Sequence, residues 1–165
     1  MKIATWNING IGSRLDQVLE WCEANQPDVL CLQETKCVDA RFPHHRLHGA
    51  GFPFIEFIGE KAYNGVAIVS RHPINDLQKN FPGDADDAPK RFLAATIDGL
   101  RIVNVYVPHG TKFGSDKFTF KLDWIARLRR YFDENFQLSD YVVLCGDLNV
   151  APHELDVWKI GRASC

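Results

Sequence analysis

Val142-Val143-Leu144-Cys145-Gly146-Asp147-Leu148-Asn149 is a run of strand-forming residues that stops abruptly in an acid and an amide. Its apolar residues are those of a buried strand. Other runs in the chain end in a similar way. Lys2-Ile3-Ala4-Thr5-Trp6-Asn7 closes on Asn7, and Asp28-Val29-Leu30-Cys31-Leu32-Gln33-Glu34, an almost wholly apolar run that suits a strand covered on both faces, closes on Glu34. The run from Leu100 to Val107 carries Asn104 and Tyr106 at its far end. A single acid or amide after a strand is usually a turn former or a helix cap. Several strands ending this way point instead to a site, because sites in α/β sheets collect where strand ends converge.

The rest of the chain reads as scaffold for those ends. Asn9-Gly10 turns the chain after the first strand. Ser13-Arg14-Leu15-Asp16 resembles a capping box, and Leu15, Val18, Leu19 and Cys22 follow at helical spacing until Pro27. Residues 36–52 read as an irregular loop. Phe54 to Ile58 and Val66 to Ser70 are further strands, joined through Tyr63-Asn64-Gly65. Residues 80–90 form a polar loop. Asp98-Gly99 between β-rich runs is a strong hairpin signal. Ser115 can cap a long helix whose buried stripe is expected at Phe118, Leu122, Ile125, Leu128, Phe132 and Phe136. The pattern predicts two helices, about seven strands and mixed sheets, with no repeat and no linker. Trp6, Trp21 and Trp124 are expected in the core.

At 165 residues the chain is long enough for one domain with a real core. Its 45% hydrophobic and 24% charged residues are those of an ordinary globular protein. No stretch approaches the ~20 apolar residues that span a bilayer, and residues 1–12 do not read as a signal peptide. Cys22, Cys31, Cys37, Cys145 and Cys165 lack zinc-type spacing, and a reducing, cytoplasmic setting is expected. The net charge of −2 excludes a global basic field that recruits nucleic acid. A polyanionic substrate would need local cations or a metal.

The residue types at the strand ends suit that chemistry. Hard divalent cations take oxygen ligands, and Mg²⁺ commonly uses one or two carboxylates and keeps several waters. Glu34 offers a carboxylate and Asn7 a carbonyl oxygen. Asp147 can orient or deprotonate a water, or serve a second metal position. Asn149 and Tyr106 offer donors to a phosphate oxygen. The set suits metal-assisted hydrolysis of a phosphate ester. His44, His45 and His48 have no strand-end partner and read as surface residues; His109 is close enough to Tyr106 to line a cleft.

Five motifs occur in order: Thr5-Trp6-Asn7-Ile8-Asn9-Gly10, Leu32-Gln33-Glu34-Thr35-Lys36, Tyr63-Asn64-Gly65-Val66-Ala67, Asn104-Val105-Tyr106-Val107-Pro108 and Gly146-Asp147-Leu148-Asn149-Val150-Ala151-Pro152. Together they resemble the exonuclease III family of DNA-repair nucleases, within the endonuclease/exonuclease/phosphatase superfamily. The resemblance implies an α/β (α+β) fold, a DNase I-like four-layer sandwich of mixed β-sheets flanked by helices. This chain would hold roughly the N-terminal half to two-thirds of it.

The resemblance further implies a monomeric, divalent-metal-dependent nuclease (Mg²⁺ or Mn²⁺) acting on double-stranded DNA at abasic sites or 3′ ends. Asn7, Glu34, Asp147 and Asn149 then correspond to metal ligands. Tyr106, Asp147 and Asn149 correspond to catalytic residues, and Arg91 and Lys121 to cations on the DNA backbone. Alternatives are another phosphoesterase of the superfamily or a non-catalytic fragment.

The resemblance stops near residue 157 and implies a second half with a further Asp, Asn and Asp-His pair, so the chain is expected to be truncated and nearly inactive alone. Lys159-Ile160-Gly161-Arg162-Ala163-Ser164-Cys165 can be encoded by AAG ATC GGA AGA GCG TCG TGT, which matches a common sequencing-library adapter. Residues 1–158 are therefore expected to be a partial domain and 159–165 a non-native tail.

Overall fold

The computed structural model describes residues 1–153 and Asp156; the expected tail at 159–165 lies outside them. The chain divides into two compact units. The first is Met1–Tyr106 with Ser139–Asp147, and the second is Val107–Leu138 with the residues from Leu148.

The first unit holds two four-stranded sheets. One contains β1 (Ile3–Asn7), β2 (Val29–Gln33), β3 (Phe54–Ile58) and β4 (Val66–Ser70) in the order β1-β2-β4-β3. The other contains β5 (Asn75–Lys79), β6 (Phe92–Ile97), β7 (Leu100–Tyr106) and β8 (Val142–Asp147) in sequence order. Each sheet has one parallel pair, β1 with β2 and β7 with β8; its other pairs are antiparallel. Parallel neighbours finish at the same end, so Asn7 stands beside Gln33 and Tyr106 beside Asp147. The β6–β7 hairpin turns at Asp98 (φ 49°) and Gly99 (φ 79°), both left-handed as a tight two-residue turn requires.

Helix α1 (Ile11–Asn25) buries Ile11, Leu15, Val18 and Cys22, a stripe at helical spacing, against Leu30, Leu32, Ala67 and Val69 of the first sheet. A second apolar layer lies between the sheets: Val29, Cys31, Val66 and Ile68 face Leu93, Ala95, Ile97 and Ile102. Full burial of each large aliphatic side chain contributes about 1.5–3 kcal/mol. The described cysteines, Cys22, Cys31, Cys37 and Cys145, are free thiols. No helix among the described residues is long and apolar enough to cross a membrane.

Several local expectations need correction. Helix α1 starts at Ile11, two residues ahead of Ser13, with Gly10 as its N-cap. The Ser13 hydroxyl donates to the Gly10 carbonyl from inside the first turn, so no capping box forms. The supposed loop at 36–52 contains a short 3₁₀ turn, Asp39–Arg41, and helix α2 (His44–Gly49), anchored by buried Leu47. Polar β5 adds an eighth strand. Its mostly exposed residues carry no apolar signal, because it lies at a sheet edge.

In the second unit, Ser115 does cap helix α3 (Asp116–Asn135), accepting from the Phe118 amide. The buried stripe, however, is Lys121, Trp124, Leu128 and Tyr131, while Leu122 is 51% exposed. Counting only apolar residues misplaces the stripe, because a lysine can bury its aliphatic stem when its ammonium finds an acceptor. Trp124 is buried, as expected; Trp6 and Trp21 are only partly covered and meet edge to face.

Candidate active site

The ends of β1, β2, β7 and β8 bring four of the expected residues together. The Asn7 amide nitrogen donates to Glu34 Oε1 at 2.8 Å and to Asp147 Oδ2 at 2.7 Å. The Tyr106 hydroxyl hydrogen-bonds the Glu34 carboxylate as well. Asn7 Oδ1 accepts from the Asn9 backbone N–H. Two carboxylates thus turn toward one shared donor.

The backbone around Glu34 is clamped from both sides. Gly10 N–H donates to the Glu34 carbonyl, Ile11 N–H to that of Thr35, and Thr35 N–H to that of Gly65. Glu34 itself is left-handed, with φ 52°. Such a conformation costs on the order of 1–3 kcal/mol and persists where the surroundings over-determine it. Gly65 is part of that clamp: a Cβ there would lie 2.1 Å from Thr35 Oγ1.

Cations surround the acids. Lys36 Nζ lies 2.8 Å from Glu34 Oε2. The Arg91 guanidinium sits 4.5 Å over the Tyr106 ring and donates to the Tyr106 carbonyl at 3.2 Å. Burial pushes the Glu34 carboxyl up, but hydrogen bonds from Lys36, Asn7 and Tyr106 outweigh it and hold the group below the usual carboxylate range. Burial and the hydrogen bond to Glu34 push the Tyr106 phenol up to about 12. At neutral pH it is therefore a donor, not a base. Burial also lowers the Arg91 guanidinium, against the pull of Tyr106 and the nearby acids.

The second unit holds the remaining expected residues. Lys121 is buried, and its Nζ donates to the Asn149 carbonyl at 2.6 Å. The Asn149 amide donates to the Val107 carbonyl at 2.8 Å. His109 is exposed. In the first unit, His44, His45 and His48 are exposed on α2, away from the strand ends.

The donor set fits a hard cation. It is made of oxygens, with two carboxylates converging on one point. Among the described residues no group of three His, Cys, Asp or Glu side chains is placed to hold a metal ion. Lys36 has no assigned role in the sequence-based reading, although it stands inside the quoted Gln-Glu-Thr-Lys motif. Its position two residues after an acid was the available signal.

The Endonuclease/Exonuclease/phosphatase family matches residues 4–164. The chain belongs to that family. Its members depend in general on divalent metal. Exodeoxyribonuclease III of Haemophilus influenzae is 32% identical over 95% of this chain and 60% of its own length. DNA repair nuclease APEX1 of Danio rerio is 29% identical over 95% of this chain and 51% of its own length.

Among solved structures, an AP endonuclease from Archaeoglobus fulgidus superposes with a TM-score of 0.90 at 40% identity, covering 96% of this chain and 62% of that one. The 3′ phosphatase NExo from Neisseria, bound to product DNA hairpin, gives 0.88 at 39% identity, covering 96% of this chain and 62% of that one. The chain thus spans about half to two-thirds of the length of these family members. The fold is α/β with mixed sheets, DNase I-like, as the motifs imply.

Proposed function

We propose that this chain supplies much of the active site of a divalent-metal-dependent DNA repair nuclease. The reaction is hydrolysis of a phosphodiester bond at an abasic site or a 3′ end of double-stranded DNA. The observation that carries the reading is the Asn7 amide, which donates both to Glu34, 27 residues away, and to Asp147, 140 residues away, and so draws the two carboxylates together. Such a pair, beside a neutral phenol and a stacked guanidinium, suits a phosphate under attack by water.

A bound Mg²⁺ or Mn²⁺ would supply positive charge to the phosphate and acidify a water. Glu34 and Asp147 would hold it through carboxylate oxygens, and Asn7, whose amide nitrogen faces both acids here, would add its oxygen once the amide turns over. Asp147 orients the attacking water and can take its proton. The Tyr106 hydroxyl donates toward a non-bridging phosphate oxygen. Arg91 stiffens Tyr106 from behind and adds positive charge for the DNA backbone. Asn149 and Lys121 enter the proposal from their sequence motifs alone.

The test joins residues 1–153 to the remaining C-terminal part of the Haemophilus relative and assays a duplex with one abasic site. Metal-dependent incision that falls at least ~100-fold in Glu34→Gln and Asp147→Asn supports the reading. Hydrolysis of small phosphomonoesters with no action on duplex DNA would overturn it in favour of another phosphoesterase.

A further inference from the structure

One layer beneath the strand ends, amides stand where an apolar core would be expected. Gln33 is 1% exposed and Asn104 is fully buried. Gln33 closes β2, immediately before Glu34. Asn104 lies two residues before Tyr106 and so shares its face of β7. Gln33 Nε2 donates across the layer to Asn104 Oδ1 at 2.7 Å, and within its own sheet to Thr5 Oγ1 at 3.0 Å and the Cys31 carbonyl at 3.1 Å. Asn104 Nδ2 donates back to the carbonyls of Leu32 at 3.0 Å and Ala67 at 2.9 Å. Asn104 therefore has its acceptor and both donor hydrogens engaged. The pair ties β7 to β1, β2 and β4.

The buried apolar layer between the sheets is built of aliphatic side chains and the Cys31 thiol. Apolar packing holds two sheets together without strongly choosing their register, whereas a hydrogen bond tolerates only a few tenths of an ångström. Replacing a buried polar pair by apolar residues of similar shape is often neutral for stability. A buried amide pair directly under the site is thus better explained by geometry than by stability.

We infer that Gln33 and Asn104 are positioning residues. They lock the β1–β2 ends, with Asn7 and Glu34, against the β7–β8 ends, with Tyr106 and Asp147. The inference rests on the metal site proposed above. It predicts that breaking the amide pair moves the two carboxylates apart even when the fold survives.

The experiment measures Mn²⁺ affinity of the full 165-residue chain by calorimetry, alongside its unfolding midpoint. The double variant Gln33→Met/Asn104→Leu is expected to stay folded and bind Mn²⁺ at least ~10-fold more weakly. The core variant Ile102→Val, in the same layer, is expected to lose stability while keeping its Mn²⁺ affinity within about twofold. Should the double variant fail to fold, Gln33→Met alone, which leaves both Asn104 carbonyl bonds in place, is read in the same way. Wild-type affinity in the folded amide variant would overturn the inference. Glu34→Gln separates the two layers of argument. If it abolishes Mn²⁺ binding while the amide variants do not weaken it, only the positioning role fails. If the parent chain shows no Glu34-dependent binding, the site reading fails and takes the positioning role with it.

Discussion

Strands β2 and β8 look alike in sequence and differ in the fold. Each is a short apolar run that leads into a carboxylate, Glu34 or Asp147. All of β2 is buried, with β1 on one side and β4 on the other. Strand β8 pairs only with β7 among the described strands, and its Leu144 is 41% exposed. The expectation that the β2 run is covered on both faces holds, whereas the buried-strand reading of 142–147 is corrected, since no residue of β8 is fully buried: apolarity marks a strand, but not its place in the sheet. The two acids are also held differently. Glu34 sits in a left-handed backbone gripped by neighbouring loops, whereas Asp147 continues the β7–β8 register opposite Tyr106.

The largest break in this comparison comes from Gly146. Its φ is 133°, and a Cβ would lie 1.9 Å from the Val105 carbonyl oxygen. Gly146→Ala should cost about 3 kcal/mol or more and loosen β8 from β7. Gly12, in α1, has open space around its Cβ position. Gly12→Ala should gain up to about 1 kcal/mol. Urea unfolding of both variants checks the contrast.

Side-chain truncation sharpens it. Leu32→Ala, in the centre of its sheet, should cost about 2–5 kcal/mol. Leu144→Ala should cost less than about 1 kcal/mol, because the site is already open to water. Equal costs would mean that β8 is as well covered as β2.

Acid tests the grip on Glu34. Its carboxyl is held below its ordinary 4.5, so its contribution to stability is complete above that value and is lost as pH falls through the folded-state value. Glu34→Gln should flatten this part of the acid unfolding curve. The smallest effect is alkaline. The Tyr106 phenol moves from 10.0 to about 12, so the stability it contributes is present below pH 10 and fades as pH rises toward 12. Tyrosinate absorbance should show one late-ionising phenol, and Glu34→Gln should bring its midpoint down.

Much of the scaffold was legible before any tertiary information. The α1 stripe, the Ser115 cap and the Asp98-Gly99 hairpin all follow from preferences within a few residues of chain. Residues ending the strands were legible as well, because polar groups that interrupt apolar runs stand out. Other features could not be read that way. Lys36 looks like an ordinary surface cation until it reaches Glu34, and Arg91, legible as a cation for the DNA backbone, gives no sign in the sequence that it stacks on Tyr106. Gln33 and Asn104 look like strand-end polar residues until they meet 71 positions apart.

By itself the sequence determined which segments become strands and helices and which polar side chains stand at the strand ends, since backbone preference and local burial pattern act over short distances. Only the tertiary structure decided that Asn7 meets both Glu34 and Asp147, that β2 is central and β8 peripheral, and that Lys121 is buried. These depend on how strands far apart in sequence are ordered and registered, and on partners that no local preference specifies.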